Sequence, residues 1–221
     1  GDRGAAGRRP EPGGRARVTD VQKLSGHDYY HFLEVEEGTL STETEVELAV
    51  DPAHRLPTQR NHTATHLLQA ALRQVLGAGV RQAGSLVHPD HLRFDFTHPQ
   101  ALSAAERREV EDLVNGWVLA ARPTAIVPDR PRDEAIAAGA MALFGEKYGE
   151  RVRTVEVPGV SLELCGGCHV ANTGEIGPFV IVAERAVASG VRRIEALTGE
   201  GAIRHARDLH ISVFTSAEAA Q

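Results

Sequence analysis

RNHTATHLLQAALRQVLG, residues 60–77, decides the fold of the chain's larger part. Ala64, Leu67, Leu68, Ala71, Leu72, Val75 and Leu76 recur at helical spacing, so the stretch predicts an amphipathic helix. Asn61 suits an N-cap, and Gly77 with Gly79 suits a stop. His62 and His66 are four residues apart, so both imidazoles project from one helix face and can reach one ion. A second pair waits a hundred residues on, in CGGCH, residues 165–169. It follows the strand-like VSLEL, and its two glycines permit the tight backbone that brings Cys165 and His169 to one point. Together the motifs offer His62, His66, Cys165 and His169, a nitrogen and sulfur complement of the kind zinc takes.

Each motif has a plainer reading. An isolated HxxxH on an amphipathic helix is commonly a pair of surface or satisfied core histidines. The CxxC of Cys165 and Cys168 is also a redox pattern, although neither a βαβ context nor a helix start follows it. The joint presence of both motifs favours a shared zinc. A helical zinc protease is excluded, because the residue after the first histidine is Thr63 where that chemistry needs a general-base Glu.

Composition bounds the rest. With 221 residues, 42% of them hydrophobic, the chain can bury one good core, or one domain with an appendage. A formal charge of −6 argues against gripping nucleic acid through global charge, leaving local basic patches open. No apolar run approaches ~18 residues, so no spanning segment is expected. Two cysteines flanking two glycines cannot build a disulfide framework, which points to a reducing, cytoplasmic compartment. The absence of an initial Met and the helix-like tail read as a piece of something larger.

Outward from the histidine helix, residues 1–17 are rich in Gly, Pro and Arg and read as a loop. YHFLEVEEG and TLSTETEVELAVD alternate and read as antiparallel strands joined at Gly38, in a small barrel or sheet. Residues 51–57 read as a turn-rich boundary. GSLVHPDHLRFDFTH predicts two strands with Leu92, Phe94 and Phe96 on one face. Ser103 with Glu106 predicts a capping box on a second helix, TAIVPD a strand, and PRDEAIAAGAMALF a third helix. Four strand-like stretches follow, and the absence of βαβ alternation favours an α+β fold with a mixed or antiparallel sheet.

RNHTATHLLQAAL, GSLVHPDHLRFDFTH, MALFGEKYG, CGGCHVANTGEIGPFVIV and GVRRIEALTG closely resemble, in order, the editing region of bacterial alanyl-tRNA synthetases. They are similar also to free-standing alanyl-tRNA editing proteins and, more distantly, to the threonyl-tRNA synthetase editing domain. The resemblance implies a β-barrel-like portion over 1–57, a zinc-dependent editing core over 58–200, and the start of a helical linker over 201–221. It implies ester hydrolysis of tRNA(Ala) mischarged with serine or glycine, by a region working beside the remainder of a synthetase. The family's zinc ligands fall on His62, His66, Cys165 and His169, and its editing-pocket threonine and glutamine on Thr65 and Gln82. Where this chain has Cys168 the family more often has threonine, which places a second thiol beside the metal. Arg192 and Arg193, with the N-terminal arginines, are candidate tRNA contacts.

The need for such an activity follows from chemistry. A pocket that accepts alanine discriminates against glycine or serine by only about 1–3 kcal/mol, so a second site must discard the errors. Two alternatives stay open: a zinc-stapled tRNA-binding module without catalysis, and a free-standing editing enzyme.

Overall fold

The computed structural model describes residues 13–24, 28–42, 45–142 and 148–219. The chain forms two compact units, Gly1–Ala49 and Val50–Gln221. In the first, strands β1 (Gly14–Lys23) and β2 (Tyr29–Gly38) pair antiparallel in a two-stranded sheet. The expected hairpin at Gly38 is corrected. Gly38 closes β2 opposite Gly14, and YHFLEVEEG pairs with the strand before it. Residues 45–50 form no strand, because no described neighbour supplies a ladder for them. A closed barrel is not present among the described residues.

The second unit is built around helix α1, Pro52–Leu76. It starts nine residues before the expected Asn61 cap. Asp51 is the N-cap, its carboxylate accepting from the Ala53 N–H at 2.9 Å, and Pro52 occupies the first turn, where a missing N–H costs nothing. Pro57 lies inside the helix and forgoes one backbone bond, so the stretch expected to be turns is helical. Gly77 ends the helix as expected. From Asn61 to Leu72 almost every residue is buried, polar ones included, which is the signature of a helix enclosed on several sides.

Strands β3 (Gln82–Val87), β4 (Leu92–Thr97), β8 (Phe179–Ala188) and β9 (Val191–Thr198) form an antiparallel sheet in the order β3-β4-β9-β8. Leu92, Phe94 and Phe96 are fully buried, as the alternation predicted, and pack with Leu67, Leu68 and Leu72 of α1 in one cluster. Burying each such side chain contributes about 1.5–3 kcal/mol. Helix α2 (Ala104–Leu119) adds Val110, Val114 and Val118, and carries the expected Ser103–Glu106 capping box. A second antiparallel sheet joins β5 (Ala125–Pro131), β6 (Arg151–Val157) and β7 (Ser161–Leu164). Helix α3 is only Arg132–Ala137, because Gly139 adopts φ 91° just past its end and breaks the expected longer helix. Helix α4 spans Gly199–Ala219. Every ladder between named strands is antiparallel, in agreement with the α+β expectation. Among the described residues, no helix is long and apolar enough to cross a membrane.

Asn61 ties three of these elements. Its side-chain amide donates to the His88 and Pro89 carbonyls at 2.6 and 3.1 Å, and its carbonyl accepts from the Thr198 hydroxyl at 2.7 Å. Asn61→Ala leaves the buried Thr198 hydroxyl and the His88 and Pro89 carbonyls without their partner, so a loss of about 1–2 kcal/mol in denaturant unfolding is expected.

Candidate metal centre

Helix α1 supplies His62 and His66 one turn apart, and the loop after β7 brings Cys165 and His169 across to them. The potential ligand atoms of all four lie within 4.8 Å of one another. Cys165 Sγ is 3.4 Å from His62 Nε2 and 3.3 Å from His169 Nε2. A tetrahedral zinc with ordinary bond lengths separates sulfur from nitrogen by about 3.6 Å, so these edges already approach that polyhedron. The three imidazole centroids are 4.2–5.3 Å apart.

The loop's shape is held from several directions. The Arg153 guanidinium, on β6, donates to the Cys165 and Gly167 carbonyls at 2.7 and 2.8 Å. Gln59, one turn before His62, donates through its amide to the His169 carbonyl at 2.8 Å. Gly167 lies flat against His62. A Cβ built there would stand 2.0 Å from His62 Cε1, so no side chain fits.

Hydrogen bonding also fixes one tautomer. The Thr63 hydroxyl lies 3.0 Å from the Gln59 carbonyl, 3.1 Å from His169 Nδ1, and 3.2 Å from the Val170 N–H. A carbonyl only accepts, so Thr63 donates to Gln59, and His169 Nδ1 must donate to Thr63. That leaves His169 Nε2 bare, on the side of Cys165. His66 differs: Nε2 is 3.4 Å from Glu163 Oε2, while its Nδ1 is buried without a partner among the described residues.

Electrostatics point the same way. Burial first, then the Arg153 charge, lowers His62 to about 4, against a backbone hydrogen bond at Cys168 that raises it. Burial and the neighbouring His62 and Arg153 lower His169 to about 3. His66 is lowered well below its ordinary value, first by burial and then by the other two rings and Arg153. Burial pushes the Cys165 thiol up and Glu163 up to about 8. Near neutral pH the rings are uncharged with lone pairs available, the state a metal requires. The donor set, the spacing and the unpartnered His66 Nδ1 all fit a zinc-type ion.

Beyond His66, the side chains of Gln69, Arg73, Arg81, Gln82, Met141 and Glu163 line a cavity of about 230 Å³. Gln82 therefore faces a space bounded by Glu163, which itself touches His66; its amide donates to the Ser85 hydroxyl at 3.1 Å. Thr65 is buried, and its hydroxyl donates one turn back to the Asn61 carbonyl at 2.8 Å. Cys168 lies in the loop but outside the four-residue cluster. Arg192 and Arg193 are already committed, to Glu184 at 2.5 Å and to Asp95 at 2.6 and 2.7 Å. Arg3, Arg8 and Arg9 of the N-terminal stretch lie outside the described residues.

Arg153 and Glu163 were not singled out from sequence, and Thr63 entered there only as the residue that excludes a zinc protease. Glu163 had a signal: it shares strand parity with Ser161 and lies two residues before Cys165, a charge at an inward position of VSLEL. Arg153 gave none, since an arginine in an alternating strand reads as a solvated face.

Residues 152–195 match the domain family described as the threonyl and alanyl tRNA synthetase second additional domain. The chain is 58% identical over 202 residues to the alanine–tRNA ligase of Thermus thermophilus, covering 89% of this chain and 23% of that protein. It is 55% identical over 195 residues to the Thermotoga maritima alanine–tRNA ligase, 88% of this chain and 22% of the relative. With the Crocosphaera subtropica alanine–tRNA ligase, identity is 52% over 189 residues, covering 86% and 21%. Most of the chain is thus similar to one region of the alanine–tRNA ligases, and it spans under a quarter of those relatives.

Gly167→Ala drives a methyl group into the His62 ring. Zinc affinity in a competitive chelator titration should fall by about tenfold or more, while the unfolding transition of the zinc-free protein moves little.

Proposed function

We propose that this chain is an editing region that hydrolyses the ester of tRNA(Ala) mischarged with serine or glycine. The observation that carries this reading is the shared wall: Glu163 touches His66 of the metal centre and bounds the cavity that Gln82 also lines. A metal centre beside a roomy polar cavity has space for a substrate, and the relatives are aminoacyl-tRNA ligases by name.

In this reading His62, His66, Cys165 and His169 hold one zinc. When bound, the ion supplies positive charge toward the ester oxygens and fixes the geometry of the two segments that hold it, α1 and the loop after β7. The residues around it perform the remaining work. Gln82 carries both donor and acceptor atoms at the cavity wall and suits orientation of the ester or of the attacking water. Thr65 is assigned to reading the serine hydroxyl; its own proton is bonded to Asn61, so it can serve there as an acceptor. Alanine offers no hydroxyl and forgoes that contact, so the site discriminates by hydrogen bonding where size cannot. Residues 58–200 form the editing core in this reading, continuous with the start of α1 at Pro52. tRNA phosphates approaching Arg192 or Arg193 must share them with Glu184 or Asp95. The partners are tRNA(Ala) and the rest of a synthetase, in the cytoplasm.

Four protein ligands also make the closed kind of zinc site, which favours a second reading: a zinc-stapled module that binds tRNA without catalysis. A deacylation assay separates the two. Seryl-tRNA(Ala) should be hydrolysed faster than alanyl-tRNA(Ala), with activity lost on chelation and restored by zinc. Thr65→Val should narrow the serine-to-alanine ratio with zinc retained. Binding of tRNA without hydrolysis would replace this reading with the second.

A further inference from the structure

Two cations, Arg73 and Arg81, line the cavity beside the metal centre, and they reach it from different elements. Arg73 lies on α1 beyond His66 and Gln69, at spacings of three and four residues that keep all three on one helix face. The rise per residue sets the Arg73 backbone about 10 Å along the axis from His66. The Arg73 guanidinium donates to the Val80 carbonyl at 2.9 Å, which fixes its direction and leaves further N–H groups over.

Arg81 lies just before β3. Its N–H donates to the Thr97 hydroxyl and its carbonyl accepts from the Thr97 N–H, each at 3.0 Å, so β4 holds its backbone in place. Its side chain is exposed and has no hydrogen bond or ion pair among the described residues. Arg192 and Arg193, by contrast, are held by Glu184 and Asp95. The acid on the cavity wall, Glu163, is buried against His66 on the metal side. The cavity therefore runs from the metal centre toward two arginines with which no described carboxylate forms an ion pair.

We propose that Arg73 and Arg81 form the subsite for the phosphate of the tRNA's terminal nucleotide. This rests on the editing function proposed above and names the residues that set the nucleotide's register. In an aminoacyl-tRNA the ester sits on the terminal ribose, and the same ribose carries a phosphodiester on its 5′ side. One sugar ring thus separates the bond to be cut from the nearest anion. The cavity repeats that order, with the metal centre at one side and the cations about two helical turns away. A guanidinium presents its N–H groups as a planar fork that matches two phosphate oxygens, and the fork of Arg81 is free to do so. The phosphate is common to correct and mischarged tRNA. The contact therefore strengthens binding of both and leaves discrimination to the interior of the cavity.

Two non-hydrolysable probes test this without requiring turnover: 3′-deoxy-3′-(L-serylamino)adenosine, and the same molecule carrying a 5′-phosphate. Binding is read by calorimetry on the zinc-loaded protein. The phosphorylated probe should bind about tenfold or more tightly at low salt, and added salt should shrink that advantage. Arg81→Ala should remove most of it, Arg73→Gln should reduce it, and Arg81→Lys should keep part of it. Equal affinity for the two probes, or binding of neither, would overturn the subsite. So would an advantage that survives when Arg81→Ala and Arg73→Gln are combined. Inorganic phosphate is the third probe and should bind far more weakly than the phosphorylated nucleoside. Phosphate that binds alone as tightly would overturn the assignment, marking a site for the free anion. The wild-type comparison stands if a variant fails to fold. Deacylation distinguishes the two levels of the reading: seryl-tRNA hydrolysed by the combined variant with unchanged KM rejects the subsite only. Phosphate-dependent binding without hydrolysis rejects the activity only.

Discussion

Three ring nitrogens and a thiol gathered within 4.8 Å, mostly buried and with no charge among them, form an arrangement that costs free energy unless a cation sits at its centre. The fold accepts that cost through hydrogen bonds outside the ring of ligands. Thr63 sets the tautomer of His169, Arg153 holds the Cys165–Gly167 backbone, and Gln59 holds His169 itself. Such outer contacts orient ligands and make them better bases. The enclosure of α1 follows from the same requirement. A helix carrying two candidate ligands, a threonine bonded to a third and the core leucines has to be buried on more than one side.

The architecture divides this labour. The four-stranded sheet and α2 give α1 its apolar seat, through Phe94, Phe96, Ile194 and Val114. The three-stranded sheet delivers the ligand loop, because β7 ends one residue before Cys165 and β6 supplies Arg153 beside it. Asn61 connects the seat to the site, one residue before His62. The second sheet also contributes Glu163, the group common to the metal centre and the cavity.

Much of this was legible in sequence, for physical reasons that differ by element. Period-two alternation exposed β4, and the Ser103–Glu106 pair exposed the start of α2, because both signals are local. The two pairs that meet in the His62–His66–Cys165–His169 cluster were legible because such side chains are chemically rare and their spacing is set by backbone geometry. The start of α1 was not. Asp51-Pro52 and Pro57 read as turns, whereas burial of the residues beyond them sustains one helix through Pro57. The strand expected over residues 45–50 had alternation but no described pairing partner. Arg153 and Thr63 stayed hidden because their roles exist only once residues a hundred positions apart are brought together.

Cobalt(II) titration of the metal-free protein tests the shared centre most directly. Tetrahedral coordination by three imidazoles and one thiolate gives strong visible ligand-field absorption together with a near-ultraviolet sulfur-to-cobalt charge-transfer band. One equivalent should saturate both. Cys165→Ser should remove the charge-transfer band, and Cys168→Ser should leave it in place. Weak absorption of the octahedral type, or a charge-transfer band that survives in Cys165→Ser, would contradict a single site built from His62, His66, Cys165 and His169.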